Sequence, residues 1–289
     1  MTDRTVVADP ATPPRQPAAP LPTASRRVRR ARSWAGRALV VLGLPAVLVA
    51  VWWVASDRAE SFFFPPLRDI LAVFGPTWFE GRLTQEVLPS LGRLLAGYAV
   101  ALAGGVGAGV AIGLSRGLRA YSEPVLEFFR AIPPPVLVPV LMLFLGIGTP
   151  MKVVVIAAGA VWPVLLNTVE GVRGVDEVLR DTATVYRLGR RRRLWTLTLR
   201  GASPQIVTGA RQALSIAIIL MVISEMFAAN NGLGFTIVSF QRSFALPQMW
   251  TGIILLGLVG VALSLLFRLV ERPVLFWYRG LRRSQRGGS

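Results

Sequence analysis

The chain has 289 residues, is 53% hydrophobic and 16% charged, and has a mean hydropathy of +0.54. A soluble domain of this length is less apolar and more charged, so the composition points to an integral membrane protein. It has a net charge of +17 but neither cysteine nor histidine, which excludes disulfides, thiol catalysis, histidine metal sites and Ser-His-Asp chemistry.

In chain order, residues 1–33 are rich in Pro, Ala, Thr and Arg without apolar periodicity and read as a disordered basic tail. "SRRVRR" at Ser25–Arg30 reads as the positive flank of an uncleaved signal-anchor helix rather than a twin-arginine export signal, because further spans follow. Residues 34–90 hold a first span at about Ala38–Ser56 and an extended connection containing Pro65-Pro66. A second span at about Leu91–Leu114 carries Gly97, Gly104, Gly105, Gly107, Gly109 and Gly113, small residues that let helices approach closely in lipid. A third, at about Pro124–Gly146, is interrupted by Pro133-Pro134-Pro135 and again by Pro139. Such breaks are tolerated in a membrane where protein or a water-lined cavity shields the backbone. They therefore read either as a kink or as part of a pathway. The fourth, fifth and sixth spans fall at about Val153–Val169, Ile206–Ala229 and Met249–Val270. Residues 91–279 form the core, and 280–289 a short basic tail.

Arginines crowd the N-terminal flank, the second and fourth connections and the C-terminus, and are sparse in the first, third and fifth connections. The positive-inside rule then expects six spans with both termini in the cytoplasm. The only lysine, Lys152, lies in "GIGTPMK", and G-x-x-x-x-G-K-[ST] is absent. No phosphate-cradling loop is expected in this chain. It is not expected to be an enzyme or to hold a cofactor or metal, and any ATP with its Mg would bind another subunit. Because the basic charge flanks apolar spans, membrane lipid is the expected contact and nucleic acid is not.

The longest internal connection holds the segment 175–200, from which the stretch "DTATVYRLGRRRRLWTLTLRGASP" runs on from Asp181 to Pro204. Val175, Val178, Leu179, Thr182, Val185 and Tyr186 recur at helical spacing. Asp176 and Glu177 suit the first turn, and Gly189 marks a stop. "RRRRLWTLTL" would form a second short helix, with Pro204 opening the next span. Two short helices on the cytoplasmic face fit this pattern. So does a basic amphipathic helix resting on anionic lipid.

This segment resembles the cytoplasmic motif of bacterial ABC importer permeases, in which E-A-A is followed after three residues by Gly and later by I-x-L-P. Asp181-Thr182-Ala183 falls on E-A-A, and "LRGASPQI" falls on the later block of the nitrate/sulfonate/taurine branch. The usual glycine is Arg187 and the usual proline is Arg200, with Gly189 expected to supply the displaced turn. The resemblance continues through "EFFRAIPPPVLVPVLMLFLGIGTPMK" and "GARQALSIAIILMVISEMFAANNGLGFTIVSFQRSF" and covers about Leu91–Arg279.

The resemblance implies an all-α permease of the type I importer fold in a bacterial cell membrane, paired with a second copy of itself. A separate ATPase dimer would take the coupling element in a groove, and an extracytoplasmic binding protein would deliver the solute. Asp181, Thr182, Ala183, Arg187, Gly189, Arg191, Arg192 and Leu199 are the coupling candidates. Pro133, Pro134, Pro135 and Glu225 are pathway candidates. Glu225 is an ionisable group within a span, and so a functional suspect, or else a structural group near the outer end bonded to a neighbour such as Asn230. The solute would be an aliphatic sulfonate, taurine or nitrate; thiamine-precursor pyrimidines and other small heterocycles stay open. A secondary transporter or channel would need intramembrane ionisable groups or a filter motif, and would leave the coupling segment unexplained. A membrane enzyme would lack a catalytic set.

Overall fold

The computed structural model describes residues 43–59, 61–227 and 229–278. The tails expected over 1–33 and 280–289 and the start of the first span lie outside them. The described residues are helical apart from short connections and one isolated bridge between Ser61 and Phe64. Helix α1, residues 43–58, belongs to a unit of its own and displays Leu44, Val47, Leu48 and Val51 on its surface, as a lipid-facing helix would.

The second unit contains α2 (Leu67–Phe79), α3 (Leu83–Leu114), α4 (Arg116–Ala131), α5 (Pro134–Leu145), α6 (Thr149–Arg173), α7 (Glu177–Val185), α8 (Arg190–Phe227), α9 (Leu233–Arg242) and α10 (Leu246–Val274). Among the described residues, α3, α6, α8 and α10 are each long and apolar enough to cross a membrane. The pair α4–α5, bent by 74°, is a fifth crossing if its halves form one span. These correspond to the second to sixth expected spans, with one relocation. The third was placed at about Pro124–Gly146, but Pro124 lies inside α4, an amphipathic helix with no buried residue. Only α5 continues as an apolar helix. The break falls where Ile132 and Pro133 are extended, ahead of the prolines, because a residue before proline is pushed out of the helical region. Pro139 makes no second break. It sits in the first turn of the Leu137–Leu145 helix, where a missing N–H leaves no ladder bond unmade.

Helix α6 is the axis of the bundle, with α3 and α8 packed along it. The close approach of α3 rests on glycine. A Cβ at Gly97 would lie 2.7 Å from Ile156, at Gly105 2.7 Å from Val164, at Gly109 2.6 Å from Thr168 and at Gly113 2.8 Å from Val172. The offset is constant at 59 residues, so the helices run parallel and in register with a four-residue period. In lipid, where apolar burial gives little drive, such close backbone packing holds helices together. Gly104 and Gly107 face open space instead. Gly109→Leu should therefore abolish stable accumulation of the permease, and Gly104→Leu should leave it near normal. Membrane levels by immunoblot and detergent melting curves distinguish the two; equal behaviour would remove the glycine seam as a cause of the fold.

Candidate functional site

The two ends of the bundle carry different chemistry. At one end lies the 175–200 segment. Asp176 caps α7, its carboxylate accepting from Val178 N at 2.9 Å. The stripe expected from sequence is present, but it faces outward. Val178 is 70% exposed, Val185 79% and Tyr186 76%, and Leu179 is exposed beside them. Ala183 is turned into the body and buried, while Asp181 and Thr182 are exposed. The Thr182 hydroxyl bonds only back to Val178 O, and the Asp181 side chain makes no hydrogen bond or ion pair among the described residues. Asp181 is therefore available to a partner and does not fix the two-helix geometry.

The turn after α7 corrects one sequence expectation. The residue in the left-handed region is Arg187, at φ 50°, whereas Gly189 has φ −58°. Leu188 N donates to Ala183 O at 3.0 Å and Arg187 N to Thr184 O at 3.0 Å. These two bonds are the Schellman ending of a helix, whose C′ residue normally is glycine. Arginine thus occupies a position that a Schellman ending usually gives to glycine. A non-glycine residue in this conformation costs about 1–2 kcal/mol. Arg187→Gly should raise the melting temperature, or at least not lower it, while Arg187→Val should lower it; the reverse order would deny the strained turn.

The second half also departs from expectation. No separate short helix ends before Pro204: α8 runs from Arg190 to Phe227, passing through a π turn at Arg193–Thr198. Pro204 lies inside the helix. It offers no N–H to the Arg200 carbonyl, but Ser203 Oγ donates to that oxygen at 2.8 Å. The hydroxyl takes up the carbonyl that the proline leaves without its helical donor. Arg191 and Arg192 are exposed, and Leu199 is half-buried. The segment therefore forms the lower turns of a span, so that a push on α7 and Arg190–Thr198 acts directly on α8.

At the opposite end, Glu225 near the close of α8 is fully buried. Arg93 of α3 donates to it from Nη1 at 2.7 Å, and Ser90 Oγ lies 2.8 Å from each carboxylate oxygen. Arg93 also reaches the Asn231 carbonyl at 3.2 Å and its side-chain oxygen at 2.5 Å, and bonds Thr149 of α6 at 3.4 Å. Lys152 of α6, 3% exposed, lies within electrostatic range of both Arg93 and Glu225.

These groups converge on the start of α9. Gly232 N donates to Glu86 at 2.6 Å, Leu233 N to Ser90 Oγ at 2.9 Å and Gly234 N to Glu225 at 3.1 Å. Side chains from α3 and α8 thus satisfy the amide groups that a helix N-terminus leaves unpaired, and the carboxylates suit its positive end. Gly232 sits at φ 121°, and a Cβ there would lie 2.6 Å from Glu225 Oε1. Only glycine fits. This clamp of α3, α6, α8 and α9 was only half visible in the sequence. Glu225 was singled out, but its partner is Arg93 and not Asn230. Arg93, Ser90, Glu86 and Lys152 were missed, although the rule that flags an ionisable group in a span applied equally to Arg93, and the only lysine stands one residue before the fourth expected span.

Other polar groups tie helices together nearer the end that carries the 175–200 segment. Asn167 donates to Pro163 O at 2.8 Å and to Gln212 at 3.3 Å, and Arg211 of α8 pairs with Glu271 of α10. Of the proline triplet, Pro134 packs against Gly159 of α6, where a Cβ would lie 3.0 Å from its ring. No group of three or more metal-ligand side chains occurs among the described residues.

Residues 101–275 match the model of the family described as binding-protein-dependent transport system inner membrane component. The taurine transport system permease protein TauC of Escherichia coli K12 is 30% identical over 261 residues, 88% of this chain and 95% of that one. A putative aliphatic sulfonates transport permease protein, SsuC of Bacillus subtilis 168, is 29% identical over 81% of this chain and 86% of its own. The bicarbonate transport system permease protein CmpB of Synechococcus elongatus is 30% identical over 67% of this chain and 70% of its own. Among solved structures, an inward-facing MetNI methionine ABC transporter superposes with a TM-score of 0.58 at 19% identity, covering 68% of this chain and 97% of that one. The chain belongs to the binding-protein-dependent transport system inner membrane components, and is a multi-pass transmembrane permease subunit of an ATP-driven ABC importer.

Proposed function

We propose that this permease imports a small solute with an oxyanionic head, an alkanesulfonate or taurine before bicarbonate or nitrate. The observation that carries the reading is that the relatives are named for taurine, aliphatic sulfonates and bicarbonate, which share a compact oxyanion. Two copies of the chain pair around a pathway flanked by the Pro133–Pro135 break, and a binding protein delivers solute from outside. Both termini and the 175–200 segment lie in the cytoplasm, as the arginine distribution supports.

There the exposed face of α7, with Asp181 and Thr182 at its edge, enters a groove on an ATPase subunit that binds ATP and Mg. Arg191 and Arg192 flank that contact. Closure of the ATPase pair moves α7, and the unbroken α8 carries the movement into the membrane. Switching of this kind needs a stiff element between the two sites. Glu225, enclosed in its clamp, acts through the fold and holds α9 in place at the outer end.

Reconstitution in vesicles with the cognate ATPase and binding protein tests the reading. ATP-dependent uptake of radiolabelled taurine or an alkanesulfonate is expected. Uptake that proceeds without the ATPase would favour a secondary transporter. With an assembled, ATP-hydrolysing complex, failure of every oxyanion would overturn the substrate. Reporter fusions after Gly81 and Gly189 should report outside and inside respectively.

A further inference from the structure

We infer that the inner face of the coupling segment is a binding site for the phosphate of an anionic phospholipid headgroup. Arg180 of α7 and Arg190 and Arg193 of α8 line one open cavity of about 450 Å³ at the foot of α3, with Leu114 and Leu194 beside them and no acidic residue in its lining. Leu114 is the last residue of a membrane-length helix, so the cavity lies where the chain leaves the apolar layer. A phosphate there would meet three guanidinium groups, with apolar side chains alongside for the start of an acyl chain. Basic pockets between spans at the cytoplasmic boundary recognise anionic lipid in this way.

Two of the arginines are already held in place. Arg180 donates to the Val172 and Arg173 carbonyls at the end of α6, and Arg193 to Thr184 Oγ1 at 3.4 Å. Each uses only part of its five donors there. The Arg190 side chain makes no hydrogen bond or ion pair among the described residues. The site also faces away from the surface assigned to the ATPase. At about 100° per residue, Arg180 lies on the opposite side of α7 from Val178, and Ala183 beside it is buried in the body. One side of α7 thus meets a protein and the other the headgroup layer. A bound lipid would brace the segment against the membrane while α7 is pushed. The assignment of this end to the cytoplasmic leaflet rests on the function proposed above.

The chain's lack of cysteine makes the test direct. Leu114→Cys is placed in the permease–ATPase complex, and its reaction with a membrane-impermeant thiol reagent is timed in detergent. Phosphatidylglycerol should slow labelling about tenfold, and phosphatidylcholine or inorganic phosphate should not. Each cation near an anionic lipid contributes about a fivefold preference, so Arg190→Gln with Arg193→Gln should raise the phosphatidylglycerol concentration needed for half-maximal protection about 30-fold. Arg191→Gln with Arg192→Gln, which lie outside the cavity, should retain it. Equal protection by both lipids would overturn the site. Protection by inorganic phosphate alone would make it a free-anion site. Protection by adding the ATPase to lipid-free permease would assign the face to the docking interface. Labelling of the Leu114→Cys thiol from outside intact cells would instead overturn the orientation, and with it the proposed function.

Discussion

Glu225→Ala should destabilise the permease by about 3–5 kcal/mol, the cost of stranding one half of a buried ion pair. The carboxylate is fully buried and answers Arg93, itself 6% exposed, with Lys152 in range. Its removal leaves two cations in the bundle with too little counter-charge, and also uncaps Gly234 at the start of α9. Glu225→Gln should be nearly as harmful, because it preserves shape but not charge. Arg93→Met combined with Glu225→Leu should lie closer to wild type than either single change, since replacing both charges by apolar groups is often neutral. Melting in detergent and denaturant titration give the comparison. Single variants within about 0.5 kcal/mol of wild type, the ordinary range for a surface change, would mean that the clamp does not hold this end of the bundle together.

This clamp also shows where sequence reading stops. Periodicity placed the spans, because an apolar run and a glycine period are local signals. Spacing marked six glycines of the second span as packing residues alike; Gly97, Gly105, Gly109 and Gly113 meet α6, whereas Gly104 and Gly107 face open space. Arg93 and Glu225 are separated by 132 residues, and nothing local states that they meet. The break after Ala131 was legible as a proline run. The outcome that Pro124 sits inside a helix while Ile132 leaves it was not, because a proline in an exposed turn and one before a bend look alike in sequence. The Arg187 turn was obscured for a different reason. Its signal is a backbone angle that glycine advertises and arginine hides. Likewise, Ser203 takes up the Arg200 carbonyl beside Pro204, a compensation that proline statistics do not contain.

The second large effect is expected at the opposite end. If α7 seats in the ATPase groove, Val178→Glu with Val185→Glu should leave the permease in the membrane at normal levels and abolish coupled ATP hydrolysis. Both side chains are largely exposed in the isolated chain, so folding does not depend on them. Burying a valine in an interface contributes at least about 1.5 kcal/mol, and losing two, with carboxylates forced into the contact, should weaken assembly about 100-fold or more. Asp181→Lys removes at most one charge-assisted bond, worth about 1.5–3 kcal/mol, and should weaken it about tenfold or more. Arg191→Glu with Arg192→Glu should resemble the Asp181 variant if those side chains reach the partner. If they rest on headgroups, that pair should disturb insertion and leave any assembled complex coupled. Co-purification of the ATPase reports assembly, and binding-protein-stimulated ATP hydrolysis in reconstituted vesicles reports coupling. A variant that keeps the first and loses the second has lost transmission through α8 rather than docking on α7. Full stimulation in the Val178/Val185 and Asp181 variants together would place the coupling surface elsewhere, and α7 would then be an amphipathic helix at the membrane surface.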